Sequence, residues 1–441
     1  LKFTFLFFVV YSLFLLASCS PKEELNTLKT SDLDSISVFL KAMKNDSLAF
    51  ETRLQSADKA LQWINSTKDS LDTKEILLYK IYLFGNLMQY DSAIYTSKGL
   101  LQKAIKKNDS ASISQSYYQL AYYNDRKQQK DSAYYYYNLV KNEYLKYNDS
   151  ITNGRILNEI AGIERIYGDY NASEFSGLLA LNYLGDKDSL SSANVYTNWA
   201  ISSKLQGQVT DALLFYKKAI DLASSKEQKL IIANNIAITH RDIGDYNTSI
   251  KILDSLLKDT ITIFRTKARV IDNLAYVKWL AKTNENVLPE LEKALEMRLQ
   301  ENDLWGLIAS YAHLSTYYEN VNSKTALSYA SKMYDVAIRQ NSTPDQLEAL
   351  QKLIALDDPA KAKQYYGTYL RLNDSLQNSK QIAKNQFAKI KYDSDKNREE
   401  NSQLKISTAE KQLEIQKGKT NNILLFTSGS TIFISLLFFI Y

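Results

Sequence analysis

The sequence predicts an all-α protein: about eight stacked helical hairpins, then a long helical stalk, then an apolar C-terminal span. Three observations predict it. The 441 residues include only 4 Pro and 13 Gly beside 32 Tyr, too little turn chemistry for a sheet-rich fold. Between residues 46 and 370 small residues recur at a spacing near 38, and from Thr368 to Lys417 there is neither Gly nor Pro. A chain of this length is also long enough for several domain-sized cores.

Taken in order, the first element is a targeting segment, residues 1–18. Lys2 precedes an apolar run, Phe3 to Ala17, which closes on Leu16-Ala17-Ser18-Cys19. This resembles the bacterial lipoprotein box, in which the Cys is lipidated and opens the mature chain. The other reading is an uncleaved signal anchor, short for a span at 15 apolar residues. Cys19 is the only cysteine, which excludes an internal disulfide and a Cys-based metal site. The chain opens on Leu rather than Met, as an alternative start codon or a trimmed reading frame would give. Residues 19–45 read as a linker.

The repeats occupy residues 46–370. Small residues in the first helix of each unit are Ala121, Ala161, Ala200, Ala237, Ala275 and Ser315, spaced 40, 39, 37, 38 and 40. Their second-helix counterparts are Ala93, Ala133, Ser173, Ala212, Ser249, Val287, Ala326 and Ala362, and in four consecutive units, from Ala121/Ala133 to Ala237/Ser249, the offset between two small residues is 12. Two helices that cross closely need small side chains at the contact and larger ones on the flanks. The pattern resembles the tetratricopeptide repeat, most clearly from Asn198-Trp199-Ala200 through Asp211-Ala212 to Ala219, and again from Asn235-Ile236-Ala237 to Gly244-Asp245-Tyr246. The period is nearer 38 than 34, which implies longer helices or linkers. Asn-Asp-Ser at 45–47, 108–110, 148–150 and 373–375, and Lys-Asp-Ser at 68–70, 130–132 and 187–189, supply helix-start residues whose oxygens accept from first-turn amides.

No catalytic constellation is visible. His240 and His313 lie 73 residues apart outside any metal-ligand spacing, phosphate-binding glycine loops are absent, and no cofactor is implied. A groove lined by the first helices is the expected binding surface. Two residues before the small position stand Gln119, Asn198, Asn235, Asn273 and His313, with Glu159 breaking the series. In tetratricopeptide proteins that hold extended peptides, amides at this position line the groove, and a carboxamide matches a peptide backbone with a donor and an acceptor. The competing reading is that these amides fit the repeat pattern and bond their own neighbours. Tyr118, Tyr122, Arg126, Arg165, Lys204, Arg241 and Trp279 are expected on the same face, where aromatic planes and cations suit peptides or sugar-like ligands.

The stalk, residues 371–422, holds 11 Lys/Arg against 7 Asp/Glu, most of the net charge of +5, so no broad nucleic-acid face is implied. Its heptad signal is weak: Ile406 and Leu413 stand one heptad apart, but residues 393–403 are polar. Residues 423–441 carry no charge, and about 19 residues at roughly 1.5 Å rise just cross a hydrocarbon core. Asn385 to Leu404, followed by a Lys/Gln/Glu-rich helix and the apolar span, resembles the pre-membrane segment of bacterial tetratricopeptide-repeat sensor histidine kinases. That resemblance implies periplasmic repeats, an inner-membrane span, a homodimer, and a kinase or, in a sister group, a DNA-binding module beyond residue 441. No kinase residue transfers to this sequence. Lys411, Lys417 and Lys419 sit on the outer side of the span, against the positive-inside tendency. Two readings follow: a sensor segment that binds a protein or peptide and relays it through the stalk, or an anchored adaptor that scaffolds envelope proteins. A glycan hydrolase would need a clustered acid and base, and no pair is seen.

Overall fold

A computed structural model describes residues 30–67, 73–141, 143–147, 149–258, 261 and 263–440, with side chains left undescribed at 30–35, 67, 145, 147 and 422–440. The signal segment, Cys19 and the 68–70 turn lie outside these residues. Among the described residues the regular elements are eighteen α-helices and two short 3-10 turns, in two compact units divided after Lys127.

The first unit holds α1 (Thr30–Lys44), α2 (Phe50–Thr67), α3 (Lys74–Asn86), α4 (Tyr90–Lys106) and α5 (Ser110–Arg126). Helix α1 occupies much of the range expected as a linker, which corrects that expectation. Ile36, Phe39, Leu40 and Met43 recur at i, i+3, i+4 and i+7, an amphipathic face that packs on Ala57, Ala60 and Ile64 of α2. The small-residue register does not extend to α1, so the repeat pattern alone misses it. Arg53 Nε donates to the Met43 carbonyl at 3.0 Å and satisfies a last-turn acceptor of α1.

The second unit runs through α6 (Lys130–Val140), α7 (Ser150–Ile166), α8 (Tyr170–Leu184), α9 (Ser189–Leu205), α10 (Val209–Leu222), α11 (Lys226–Asp242), α12 (Tyr246–Lys258), α13 (Phe264–Leu280), α14 (Leu288–Gln300), α15 (Leu304–Tyr318), α16 (Ser323–Arg339), α17 (Thr343–Leu356) and α18 (Pro359–Ile440). Successive pairs from α7/α8 to α15/α16 form antiparallel hairpins, and α17 pairs with the start of α18. The expected small residues sit at the crossings: Ala161, Ser173, Ala200, Ala212, Ala237, Ser249, Ala275, Ser315 and Ala326 are all buried. Two crossings are also hydrogen-bonded, with Ser173 Oγ donating to the Ala161 carbonyl at 2.8 Å and Ser315 Oγ to that of Ala326 at 3.0 Å. Asp149 and Asp188 accept from the amides of Thr152 and Ser191, as the turn motifs predict. The hairpin turn places one residue at positive φ, which is Gly168, Gly207 and Gly244 in three units but Lys282 in a fourth.

The stalk departs from expectation. Residues 373–375 form no turn: α18 runs unbroken from Pro359, where Asp358 caps the amides of Ala360 and Lys361. With neither Gly nor Pro between Gly367 and Gly418, nothing at the Asn-Asp-Ser triplet stops the helix, and Tyr365, Tyr369 and Leu372 hold it on Leu350 and Leu353 of α17. Among the residues with described side chains no helix is long and apolar enough to cross a membrane. The span expected at 423–441 lies outside that set; the backbone of 423–440 continues α18.

Helix α18 also packs on α6, at the far end of the unit's hairpin series. The Phe387 ring stacks on Tyr134 at 3.9 Å between centroids and meets the edge of Tyr167 at 4.9 Å. Beneath it Tyr134 donates its hydroxyl to Glu164 Oε1 at 3.0 Å, and Glu164 is 2 % exposed with Oε2 lacking a partner. Burial pushes the Glu164 carboxyl above its ordinary 4.5, against hydrogen bonds from Ser176 and Tyr134. A raised acid favours folding while protonated, so this contribution is full below pH 4.5 and is lost as pH rises through the raised value. Glu164→Gln keeps the acceptor for Tyr134 and removes the charge. Its melting temperature is expected to hold steady across that window while the wild-type value falls; parallel curves for the two proteins would refute the assignment.

Candidate functional site: a cleft of first helices

In the second unit the first helices of successive hairpins touch one another, α7 on α9, α11 on α13, α13 on α15 and α15 on α17. The positions two and three residues before the small residue therefore face each other across neighbouring units. Asn198 Nδ2 donates to Asn158 Oδ1 at 3.2 Å, and Asn273 Nδ2 donates to Asn234 Oδ1 at 2.9 Å. His313 Nδ1 lies 2.9 Å from Asp272 Oδ2 in the same relation. The amide series thus stitches one first helix to the next. Asn273 is only 5 % exposed, and Asn235 is half-buried with its carbonyl accepting from Thr239.

The strongest node of this ladder is Asp272. It is 1 % exposed and also receives Arg298 Nη1 from α14 at 3.0 Å, while the same nitrogen donates to Ser310 Oγ at 2.6 Å. Burial pushes the Asp272 carboxyl up, but His313 and Arg298 outweigh it and hold it below the ordinary carboxylate value. Arg298 fits because residue 306 is glycine: a Cβ there would lie 2.7 Å from its Nε.

On this frame sits a cleft of 360 Å³. Its floor is the Tyr276 ring, stacked on His313 at 3.8 Å and on Trp279 at 5.6 Å, with the Arg241 guanidinium 5.7 Å from its centroid. Trp305, Asp345, Glu348 and Lys352 complete the rim, from α15 and α17. Burial drives the Tyr276 hydroxyl above its usual range, opposed by Arg241. His313 Nδ1 is committed to Asp272, so Nε2 is the ring nitrogen left for a ligand. A stack of rings edged by cations and carboxylates offers donors, acceptors and apolar faces together.

Three of the residues expected in the groove meet here: Arg241, Trp279 and His313. Lys204 is nearby in chemistry but spent, pairing with Asp242 at 2.6 Å, the carboxylate that also holds Arg241 at 2.7 Å. Arg165 is largely buried on α7 near Tyr170 and Tyr216, and burial lowers its pKa. The remaining four, Tyr118, Gln119, Tyr122 and Arg126, belong to the first unit, where α5 faces Tyr82, Asn86 and Tyr90 across a cleft of 390 Å³. There Arg126 lies 5.0 Å over the Tyr122 ring, and Tyr123, pushed to about 12 by burial, donates to the Ile81 carbonyl at 3.0 Å. Sequence reasoning missed Tyr276, Trp305, Asp345, Glu348 and Lys352, although Tyr276, one residue beyond Ala275, lay within reach of the repeat register. Among the described residues no cluster of His, Cys, Asp and Glu could hold a metal ion.

No protein-family model matches the sequence, and no curated protein matches it either. Solved structures do resemble the fold. The Rap conjugation gene regulator of the plasmid pLS20, solved in complex with the Phr* peptide, has a TM-score of 0.52 at 13% identity over 79% of this chain and 95% of its own. The apo form of the quorum sensor NprR from B. thuringiensis has a TM-score of 0.55 at 16% identity, over 78% and 99%. A Rap protein complexed with Competence and Sporulation Factor has a TM-score of 0.50 at 14% identity, over 81% and 99%. The chain is an all-helical repeat protein with a tetratricopeptide-like fold.

Proposed function

We propose that this chain is the ligand-reading part of a membrane-bound two-component signalling protein. An extended peptide or protein segment lies along the first helices, and α18 carries the resulting change toward the membrane. The observation that supports the binding step is the cleft on α11, α13, α15 and α17, where Tyr276 and His313 form an aromatic floor rimmed by Arg241 from α11 and by Asp345, Glu348 and Lys352 from α17. A peptide backbone needs donors and acceptors in alternation, and its side chains need apolar faces. Two of the solved structures with this fold are complexes, one with the Phr* peptide and one with Competence and Sporulation Factor. The signalling step draws on the resemblance of residues 385–404 to the pre-membrane segment of sensor kinases. Lipidation at Cys19, a span at 423–441, repeats in the periplasm and a homodimer belong to the same reading.

The test is a selection from a random peptide library displayed on phage, against the full chain in lipid nanodiscs. Enriched peptides are expected to bind the wild-type chain and to lose roughly tenfold or more in affinity for Tyr276→Ala, as a buried aromatic anchor does. A selection that enriches nothing, or peptides that bind both proteins equally, would overturn the reading.

A further inference from the structure

We propose that the crease formed by α6, α7 and α8 is a receptor for a single aromatic-anchored helix, filled here by residues 383–398 of α18, and that this joint opens and closes as a latch. The inference rests on the reading of α18 as the relay. Among the described residues of α18, only Ala383, Phe387 and Ser394 are buried, at spacings of 4 and 7 that place them on one helical face. Along the rest of the described stretch beyond the docked segment, Leu404, Ile406, Leu413 and Ile415 are exposed. The contact is therefore one stripe about four turns long, the mode in which a helix lies in a groove.

The socket is built for it. Helix α6 has 11 residues and is the shortest α-helix described; Lys141 then turns to extended backbone. That early stop leaves last-turn carbonyls without helical partners. Ser394 Oγ donates to the Asn138 carbonyl at 2.8 Å, and Arg398 Nη2 approaches the same oxygen at 3.5 Å. Lys141 pairs with Asp395 at 3.3 Å, and Lys391 lies 5.2 Å over the Phe175 ring. Polar partners over the three turns that follow the Phe387 anchor fix the register of the helix in the crease.

The joint is also unfinished as a core. A partly open cleft of 300 Å³ remains beneath α18, walled by Leu157, Ile160, Leu179 and Tyr183, and it is bordered by Glu164, which Tyr134 bonds at Oε1 but whose buried Oε2 has no partner. A close-packed interior does not leave such space or such an atom. The start of α18 is anchored separately on α17, and α7 and α8 share their own cluster around Leu157, Ala180 and Leu184. Opening the joint therefore leaves both sides folded, and the small contact places the docked and free states close in free energy.

Hydrogen exchange on the full chain in nanodiscs tests this. Amides 383–398 are expected to exchange more slowly than 403–420 of the same helix, yet faster than those of α13. Phe387→Ala should speed exchange across 383–398 by roughly 30-fold or more, up to the rate of 403–420, with α13 unchanged. Lys141→Glu should open the joint partly, and adding Asp395→Lys should restore protection. Equal rates along α18 in the wild type, no response to Phe387→Ala, or no restoration by the charge swap would each overturn the docked receptor. Exchange of 383–398 only together with α13 would make the contact a fixed strut and overturn the latch. None of these readouts needs a ligand, so their failure leaves the peptide-groove reading standing, and a failed peptide selection leaves the latch standing.

Discussion

Asp272→Ala is expected to cost about 3–5 kcal/mol of stability, because it strands the Arg298 guanidinium, 3 % exposed, with Ser310 as its remaining partner. Removing one member of a buried pair leaves an uncompensated charge, which is worse than never having had the pair. The loss should concentrate in α13 to α16, since stacked repeats couple mainly to their neighbours. Urea unfolding followed by Trp279 and Trp305 fluorescence checks it, and a loss under about 1 kcal/mol would show that water or rearrangement compensates Arg298. The pH dependence carries a definite sign. The Asp272 carboxyl is held below its ordinary 3.8, so its contribution is complete above that value and disappears as pH falls through the depressed one. Asp272→Asn should therefore lose stability at neutral pH and show a shallower acid limb than the wild type. This is the reverse of Glu164, whose raised pKa makes stability fall with rising pH.

The second large effect is at the hairpin crossings. Ala161→Leu should destabilise by about 1–3 kcal/mol through overpacking. The site has no spare volume: Ala161 is 1 % exposed, and Ser173 Oγ reaches its carbonyl at 2.8 Å. The inserted side chain would separate α7 from α8 and break that bond. The same substitution at Ala362, which is half-buried where α18 leaves α17, should cost much less. Paired thermal melts decide it; equal shifts at the two positions would mean that close packing at the crossing does not set the cost.

These two predictions differ in how far the sequence anticipates them. Ala161 was legible, because a close helix crossing imposes a local steric demand that any small side chain at the right register satisfies. Asp272 was not, because its worth depends on Arg298, 26 residues away on a second helix, and on His313 in the next unit. The amides were legible as a series but not in their use. Asn198 and Asn273 recur because successive first helices meet there, and each donates to an asparagine of the preceding unit. Helix α1 was hidden for the opposite reason: its apolar face is plain, but it lies outside the repeat register on which the hairpins were counted. Likewise the turn at Lys282 carries no glycine signal although its φ is 54°.

The class and repeat of this protein are written in its sequence: helical hairpins, crossings at small residues and aspartate caps. Those features follow from short-range sterics and hydrogen bonding, which act within one hairpin. Which of the expected groove residues meet, and where α18 goes, depends on the stacking of distant hairpins. Tyr276, His313 and Arg241 converge because three first helices stack in order, and Phe387 reaches Tyr134 across some 250 residues of chain because α6 ends early and leaves a socket. Contacts between distant segments depend on the summed geometry of every hairpin between them, and no local pattern encodes that sum.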